Sequence, residues 1–288
     1  MNSKPEPFLK WAGGKRSLVD RIVPMVIGET KVYHEPFVGA GAIFFNIPFS
    51  VPMRLNDTNT ELVNTYESIR DECELVIDHL STFRNTQDDY LRIRKMDREE
   101  GFDSLSTAKR AARVIYLNKC GFNGLYRVNS KGYFNVPYGH NPKADFIQSA
   151  RLKSVSDYLN RKDESGNLLI TFTNLDFRKA LKKVKKGDFV YLDPPYDPIS
   201  KTASFTAYSA NGFGDQDQED LRDEMLRLTE KGVRVLMSNS NTKLIRSLFS
   251  ERKIFHVSKI DVRRSIAASG IKRTPASEVL IDNFKWFR

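Results

Sequence analysis

The sequence predicts an α/β fold: a doubly wound, mostly parallel sheet with an inserted, mainly helical second domain. Three observations carry the prediction. Short apolar segments rich in β-branched and aromatic residues alternate with helical stretches. A glycine-rich turn follows an early strand, where open α/β sheets bind their ligands. A charge-rich stretch of different texture, from Glu61 to Leu159, separates the two halves of the alternating pattern.

Taken in order, "KVYHEPF" reads as a strand, and "EPFVGAGAIFF" places Gly39 and Gly41 between it and an apparent helix. Glycine is wanted there either because a backbone must approach a ligand without a Cβ, or because the chain makes a tight turn. Phe44 stands where a dinucleotide-binding fingerprint carries its third glycine, which disfavours a nicotinamide site. The next apparent strand, "PMRLNDTN", ends at Asp57. A carboxylate there can accept both hydroxyls of a ribose, or can cap the helix that begins in "TNTELVNTYESI".

From Glu61 the chain is helical and charged to about Asn118, then becomes "NKCGFNGLYRVNSKGYFNVPYGHNP", whose glycines and asparagines mark an exposed loop. Beyond the insert, "LLITFTNL", "DFVYLDPP" and "VRVLMSNS" read as strands. Between the last two, Asp217–Lys231 carries Leu221, Met225 and Leu228 on one face, an amphipathic helix ending before Gly232. The expected division is 1–60, 61–160 with its loop at 118–140, and 161–288. The basic run "KKVKKGD" reads as a solvated helix end and turn.

Composition narrows the classes. At 288 residues the chain can bury one large core or two modest ones, and its net charge of +10 suits a polyanionic partner such as nucleic acid, or a merely basic protein. Cys73 and Cys120 lie far apart, and the four histidines show no ligand spacing, so neither a disulfide framework nor a metal site is expected. No apolar run approaches the roughly 18 residues of a membrane span, and the start has no export-signal pattern, so a cytoplasmic protein is expected.

The tetrapeptide Asp193-Pro194-Pro195-Tyr196 ends an apparent central strand. Proline cannot donate to a sheet ladder, so pairing must stop at Asp193. Proline at 195 also pushes Pro194 towards an extended conformation and leaves its carbonyl fixed as an acceptor. Asp193 offers a second acceptor and Tyr196 a flat ring. These features suit a planar base with an exocyclic NH2.

Together, "FLKWAGGKR", "EPFVGAGA", "NGLYRVNSKGYFNVPYG" and "LDPPYDP", in this order, resemble the Dam-type (D12 class) DNA adenine-N6 methyltransferases. The resemblance implies a doubly wound methyltransferase sheet binding S-adenosylmethionine, an inserted target-recognition domain, and transfer to a flipped adenine in duplex DNA, usually within 5′-GATC. It implies that Trp11, Lys15, Phe37, Gly39, Gly41, Asp57 and Asp193 line the cofactor site, with Asp57 on the ribose and Asp176 and Phe177 near the adenine. Asp193, Pro194 and Tyr196 would hold the target base. Lys10, Phe122, Asn123, Leu125, Arg127 and Pro137 would enter or read the duplex, and Arg263 and Arg264 would meet phosphates. Other readings of the same residues are an RNA adenine or protein glutamine methyltransferase, or a non-catalytic DNA-binding relative.

Overall fold

The computed structural model describes residues 5–11, 13–48, 50–198, 213–250, 254–262 and 276–285. In chain order its elements begin with α1 (Val19–Val26), β1 (Tyr33–Glu35), β2 (Met53–Asn56), α2 (Thr60–Asp71), α3 (Cys73–Ser81), α4 (Gln87–Lys95) and α5 (Thr107–Cys120). They continue with α6 (Ser149–Leu159), β3 (Ile170–Thr173), α7 (Phe177–Ala180), β4 (Phe189–Leu192), α8 (Asp215–Glu230), β5 (Arg234–Ser240), α9 (Lys243–Ser250), β6 (His256–Val262) and β7 (Ala276–Asp282). The chain divides into two compact units, one of Met1–Gly14, Gly39–Phe45 and Asp57–Asn174, the other of Lys15–Val38, Asn46–Asn56 and Leu175–Arg288. Among the described residues no helix is long and apolar enough to cross a membrane.

In the first unit, side chains outside the helices fix where each helix starts. Asn59, Thr86 and Ser106 accept the Leu62, Asp89 and Lys109 N–H groups at the starts of α2, α4 and α5, each filling one of the orphan donors of a first turn. Asp57 is therefore not the cap of α2; Asn59 is. Small residues on α5, Ala108, Ala111 and Ala112, are fully buried, and Leu62, Tyr66 and Ile69 line the buried face of α2. Tyr66 stacks on Phe172 of β3 at 4.8 Å, and Phe44 meets the edges of both rings. The Tyr158 hydroxyl donates to the Phe44 carbonyl at 3.0 Å. After α5 the chain forms an antiparallel hairpin, bridged at Gly121–Tyr138 and Val128–Phe134 and turning where Asn129 and Tyr133 bond.

The second unit carries a sheet in the order β2-β1-β4-β5-β7-β6. The first four strands are parallel, and β7 and β6 continue antiparallel. The order turns back between β1 and β4, so the chain leaves both strands at a topological switch point, Phe37 after β1 and Asp193 after β4. β4 is buried along its whole length, and Leu221, Met225 and Leu228 of α8 pack with Val190, Leu192, Val235 and Met237. That helix ends before Gly232, as its apolar spacing predicts, and Gly232 takes φ +73°.

Two elements differ from the sequence expectation. "KVYHEPF" yields only three strand residues, because Pro36 ends the ladder. Within it His34 is buried, its Nε2 at 3.0 Å from Asp188 Oδ2, and burial lowers its pKa. The antiparallel pair β6 ("HVSKIDV") and β7 ("ASEVLID") is additional to the strands that the sequence predicts; the apolar run at residues 279–281 in β7 is only three residues long.

Phe44, at the third-glycine position, fills a core, and this makes Gly41 obligatory. Gly41 has φ +76°, and a Cβ there would lie 2.1 Å from the Phe44 ring, itself fully buried. Gly41→Ala should therefore destabilise the protein by about 2–4 kcal/mol, combining overpacking with left-handed backbone strain. Urea denaturation measures this, and an unchanged midpoint would contradict it.

Candidate active site

In the second unit the corner after β4 is fixed from several sides. The Ser238 hydroxyl on β5 donates to Asp193 Oδ1 at 3.0 Å, and Lys15 Nζ lies 2.8 Å from the same oxygen, its side chain only 6% exposed. Asp193 Oδ2 and the Pro194 carbonyl accept no hydrogen bond among the described residues. The next carbonyl, of Pro195, accepts from Gln218 Nε2 at 3.1 Å. Gln218 Oε1 in turn accepts from Asn239 Nδ2, whose own Oδ1 accepts the Asp197 N–H. The prolines stop the ladder, Pro194 is itself buried, and side chains from β5 and α8 hold residues 195–197, so the corner has a stiff support.

Burial raises the Asp193 pKa, while the Lys15 ammonium and the Ser238 hydroxyl pull it back down. Lys15 also stands 4.5 Å from the centroid of the Tyr196 ring, a cation–π contact, and the Tyr196 hydroxyl donates to Glu278 Oε2 at 3.0 Å. One face of the ring expected to be open for stacking is thus occupied. Phe37 packs on Phe177 and Phe213. Phe177 is buried in the core, and both Asp176 oxygens are engaged by Arg178, one as the cap of α7.

In the first unit Gly39, at φ +49°, donates its N–H to Asp57 Oδ2 at 3.1 Å, and the Asn59 N–H meets Oδ1 at 2.9 Å. The Gly39 carbonyl accepts the Tyr66 hydroxyl at 2.8 Å. A Cβ on Gly39 would press on the Trp11 ring at 3.1 Å. Trp11 stacks on Tyr126 of the hairpin at 5.0 Å. Burial raises the Asp57 pKa against the backbone donors that lower it.

The hairpin presents the remaining predicted residues. Phe122 is 44% exposed, Asn123, Arg127 and Pro137 are exposed, and Leu125 is half-buried. Asn123 takes φ +56°, a conformation asparagine tolerates. Arg127 Nε donates to Asn135 Oδ1 at 2.7 Å. Lys10 lies over the hairpin so closely that a Cβ on Gly124 would be 2.4 Å from its Cδ. Arg263 and Arg264 lie outside the described residues. No group of three or more His, Cys, Asp or Glu side chains that could hold a metal occurs among the described residues.

The sequence matches the family described as D12 class N6 adenine-specific DNA methyltransferase over residues 11–266. The chain belongs to this family. It is 39% identical to the type II methyltransferase M1.LlaDCHI of Lactococcus lactis subsp. cremoris, over 96% of this chain and 95% of that protein. To the type II methyltransferase M.MjaIII of Methanocaldococcus jannaschii it is 35% identical, over 97% and 99%. To the DNA adenine methylase of Escherichia coli strain K12 it is 34% identical, over 96% and 95%. This D12-class enzyme is thus an adenine-specific DNA methyltransferase, which acts on DNA and requires a methyl donor, and the RNA, protein and non-catalytic readings give way to it.

Sequence reasoning missed four polar residues around the D12-class corner and hairpin. Ser238 and Asn239 are fully buried at the carboxyl end of β5, and the polar ending of "VRVLMSNS" beside a central strand is the signal that finds them. Glu278 carries no comparable pattern. Asn118, fully buried at the end of α5, accepts the Lys10 N–H and donates to the Lys10 and Gly124 carbonyls. A buried amide just before a glycine-rich loop is the clue there.

Lys15→Met keeps an unbranched stem and removes the charge that favours ionised Asp193. Loss of that cation raises the Asp193 pKa further, so the acid limb of the pH–rate profile for methyl transfer should move to higher pH. An acid limb that stays in place contradicts the assignment.

Proposed function

We propose that the enzyme uses S-adenosylmethionine to methylate N6 of an adenine turned out of duplex DNA, within 5′-GATC. The observation that carries the reading is the Asp193–Pro194 corner: one carboxylate oxygen tied by Lys15 and Ser238, the other oxygen and the Pro194 carbonyl left as acceptors. Adenine N6 is a poor nucleophile because its lone pair is delocalised into the ring. Two acceptors taking both N–H bonds draw that nitrogen towards a tetrahedral shape and aim the lone pair. After transfer the surplus proton passes to Asp193, whose raised pKa suits it to receive one.

S-adenosylmethionine supplies a methyl group on a positively charged sulfur, open to direct displacement. The glycine turn and Asp57 fit such a ligand. A Cβ at Gly41 would collide with the Phe44 ring and one at Gly39 would press on Trp11, and Asp57, which accepts the Gly39, Thr58 and Asn59 N–H groups, keeps acceptor capacity for a ribose hydroxyl. Turning out the base costs a few kcal/mol. Exposed Phe122 fills the vacated stack, and Arg127 pairs with a guanine edge in the major groove.

Sequencing methylated bases in duplex DNA treated with the purified protein and S-adenosylmethionine tests the reading. N6-methyladenine confined to 5′-GATC is expected; another context removes the target assignment, and absence of DNA methylation removes the whole reading. Asp193→Asn should slow transfer by at least about 100-fold, since one fixed charged acceptor is lost. Turnover at the native rate would eliminate its role. For Arg127→Ala, discrimination at one base pair should fall by roughly 1–3 kcal/mol, and an unaltered preference across single-mismatch sites counts against base reading there.

A further inference from the structure

β7 lies beyond the residues matched to the D12 family, which end at residue 266, yet it delivers a buried carboxylate to the Asp193–Tyr196 corner. Glu278 is 7% exposed and pairs with Ser240 of β5. Its Oε2 takes the Tyr196 hydroxyl at 3.0 Å. A hydrogen bond to a carboxylate is stronger than one to a neutral oxygen, and it pushes electron density back into the ring. That enriches the ring face on which the Lys15 ammonium rests, 4.5 Å from the centroid. Lys15 in turn holds Asp193 Oδ1 at 2.8 Å. The contacts form one chain: Glu278, Tyr196, Lys15, Asp193.

Each link constrains the next. Without Glu278 the Tyr196 hydroxyl keeps only its contact with Ser238, and the ring is held less firmly about χ1 and χ2. A turning ring loosens the seat of the Lys15 ammonium, and with it the choice of which Asp193 oxygen is tied and which is presented. We infer that Glu278 is a positioning residue for methyl transfer, fixing the Tyr196 ring and, through Lys15, the Asp193 carboxylate. The inference rests on the proposed roles of Asp193 and Tyr196.

The test is a double-mutant cycle in the full-length protein with Tyr196→Phe and Glu278→Ala, and with Glu278→Gln as the conservative variant. Single-turnover methyl transfer to duplex DNA, the DNA KM and the thermal midpoint are measured together. Each single variant should slow transfer by about 10- to 100-fold, as misplacement of a reacting group does, with the DNA KM little changed. The double variant should be no slower than the slower single, because both changes break one link. Glu278→Gln, whose amide oxygen still accepts, should recover most of the rate. Singles at the native rate, additive losses, or a Glu278→Gln protein as slow as Glu278→Ala overturn the inference. Should Glu278→Ala not fold, Tyr196→Phe decides alone: slowed transfer with an unchanged DNA KM supports the link, and native transfer refutes it. Native protein that leaves DNA adenine unmodified removes the Asp193 role and this inference with it. Active native protein with an additive cycle removes only the part given to Glu278.

Discussion

An ionised carboxylate at the buried end of a central strand needs a counter-charge, and Lys15 supplies it. Taking Asp193 out of water is costly, and the cost is offset only by close, well-aligned donors. Lys15 at 2.8 Å and Ser238 at 3.0 Å converge on one oxygen of the group. The pairing does more than neutralise. With Oδ1 occupied by both donors, Oδ2 is the oxygen left without a hydrogen bond among the described residues. Both the strand order and the packing of α8 serve that arrangement, since β5 brings Ser238 and Asn239 and α8 brings Gln218.

The other unit is organised around aromatic rings and one buried amide. Phe44, Tyr66, Tyr158 and Phe172 form the cluster against which the glycine turn is laid. The turn can lie so close only because its glycines lack side chains. Asn118 performs the corresponding task at the hairpin, binding both main-chain groups of Lys10 and the Gly124 carbonyl, so that three polar groups are satisfied without water.

Much of this was legible in the chain. Stepwise apolar spacing located α8, a proline pair ended β4, and glycines and asparagines announced an exposed turn around Phe122. Those signals are local, and local physics produces them. What escaped detection depends on partners distant in sequence. Asp57 has the chemistry of a cap, but Asn59 sits at the right dihedral angles to act as one. Lys15 is named with Asp193 through the family resemblance, but only the fold shows that the two are an ion pair. Glu278 is one acidic residue among apolar neighbours, and only strand pairing shows which ring it meets. Phe177 packs against Phe37 and Phe213, contacts that the sequence alone does not show.

The hydrogen bonds between Lys10 and Asn118 span 108 residues of chain, and the β1–β4 pairing joins Tyr33 to Phe189. Each compact unit is assembled from separate segments, with the chain passing from one to the other and back. During synthesis, Phe8, Leu9 and Trp11 therefore emerge long before the helix and hairpin that cover them, and β1 must wait for β4. Such distant closures make folding slow and leave sticky surface uncovered on the growing chain. On a ribosome-bound chain of this enzyme the β1 edge therefore stays unpaired on its β4 side until Phe189 has been made.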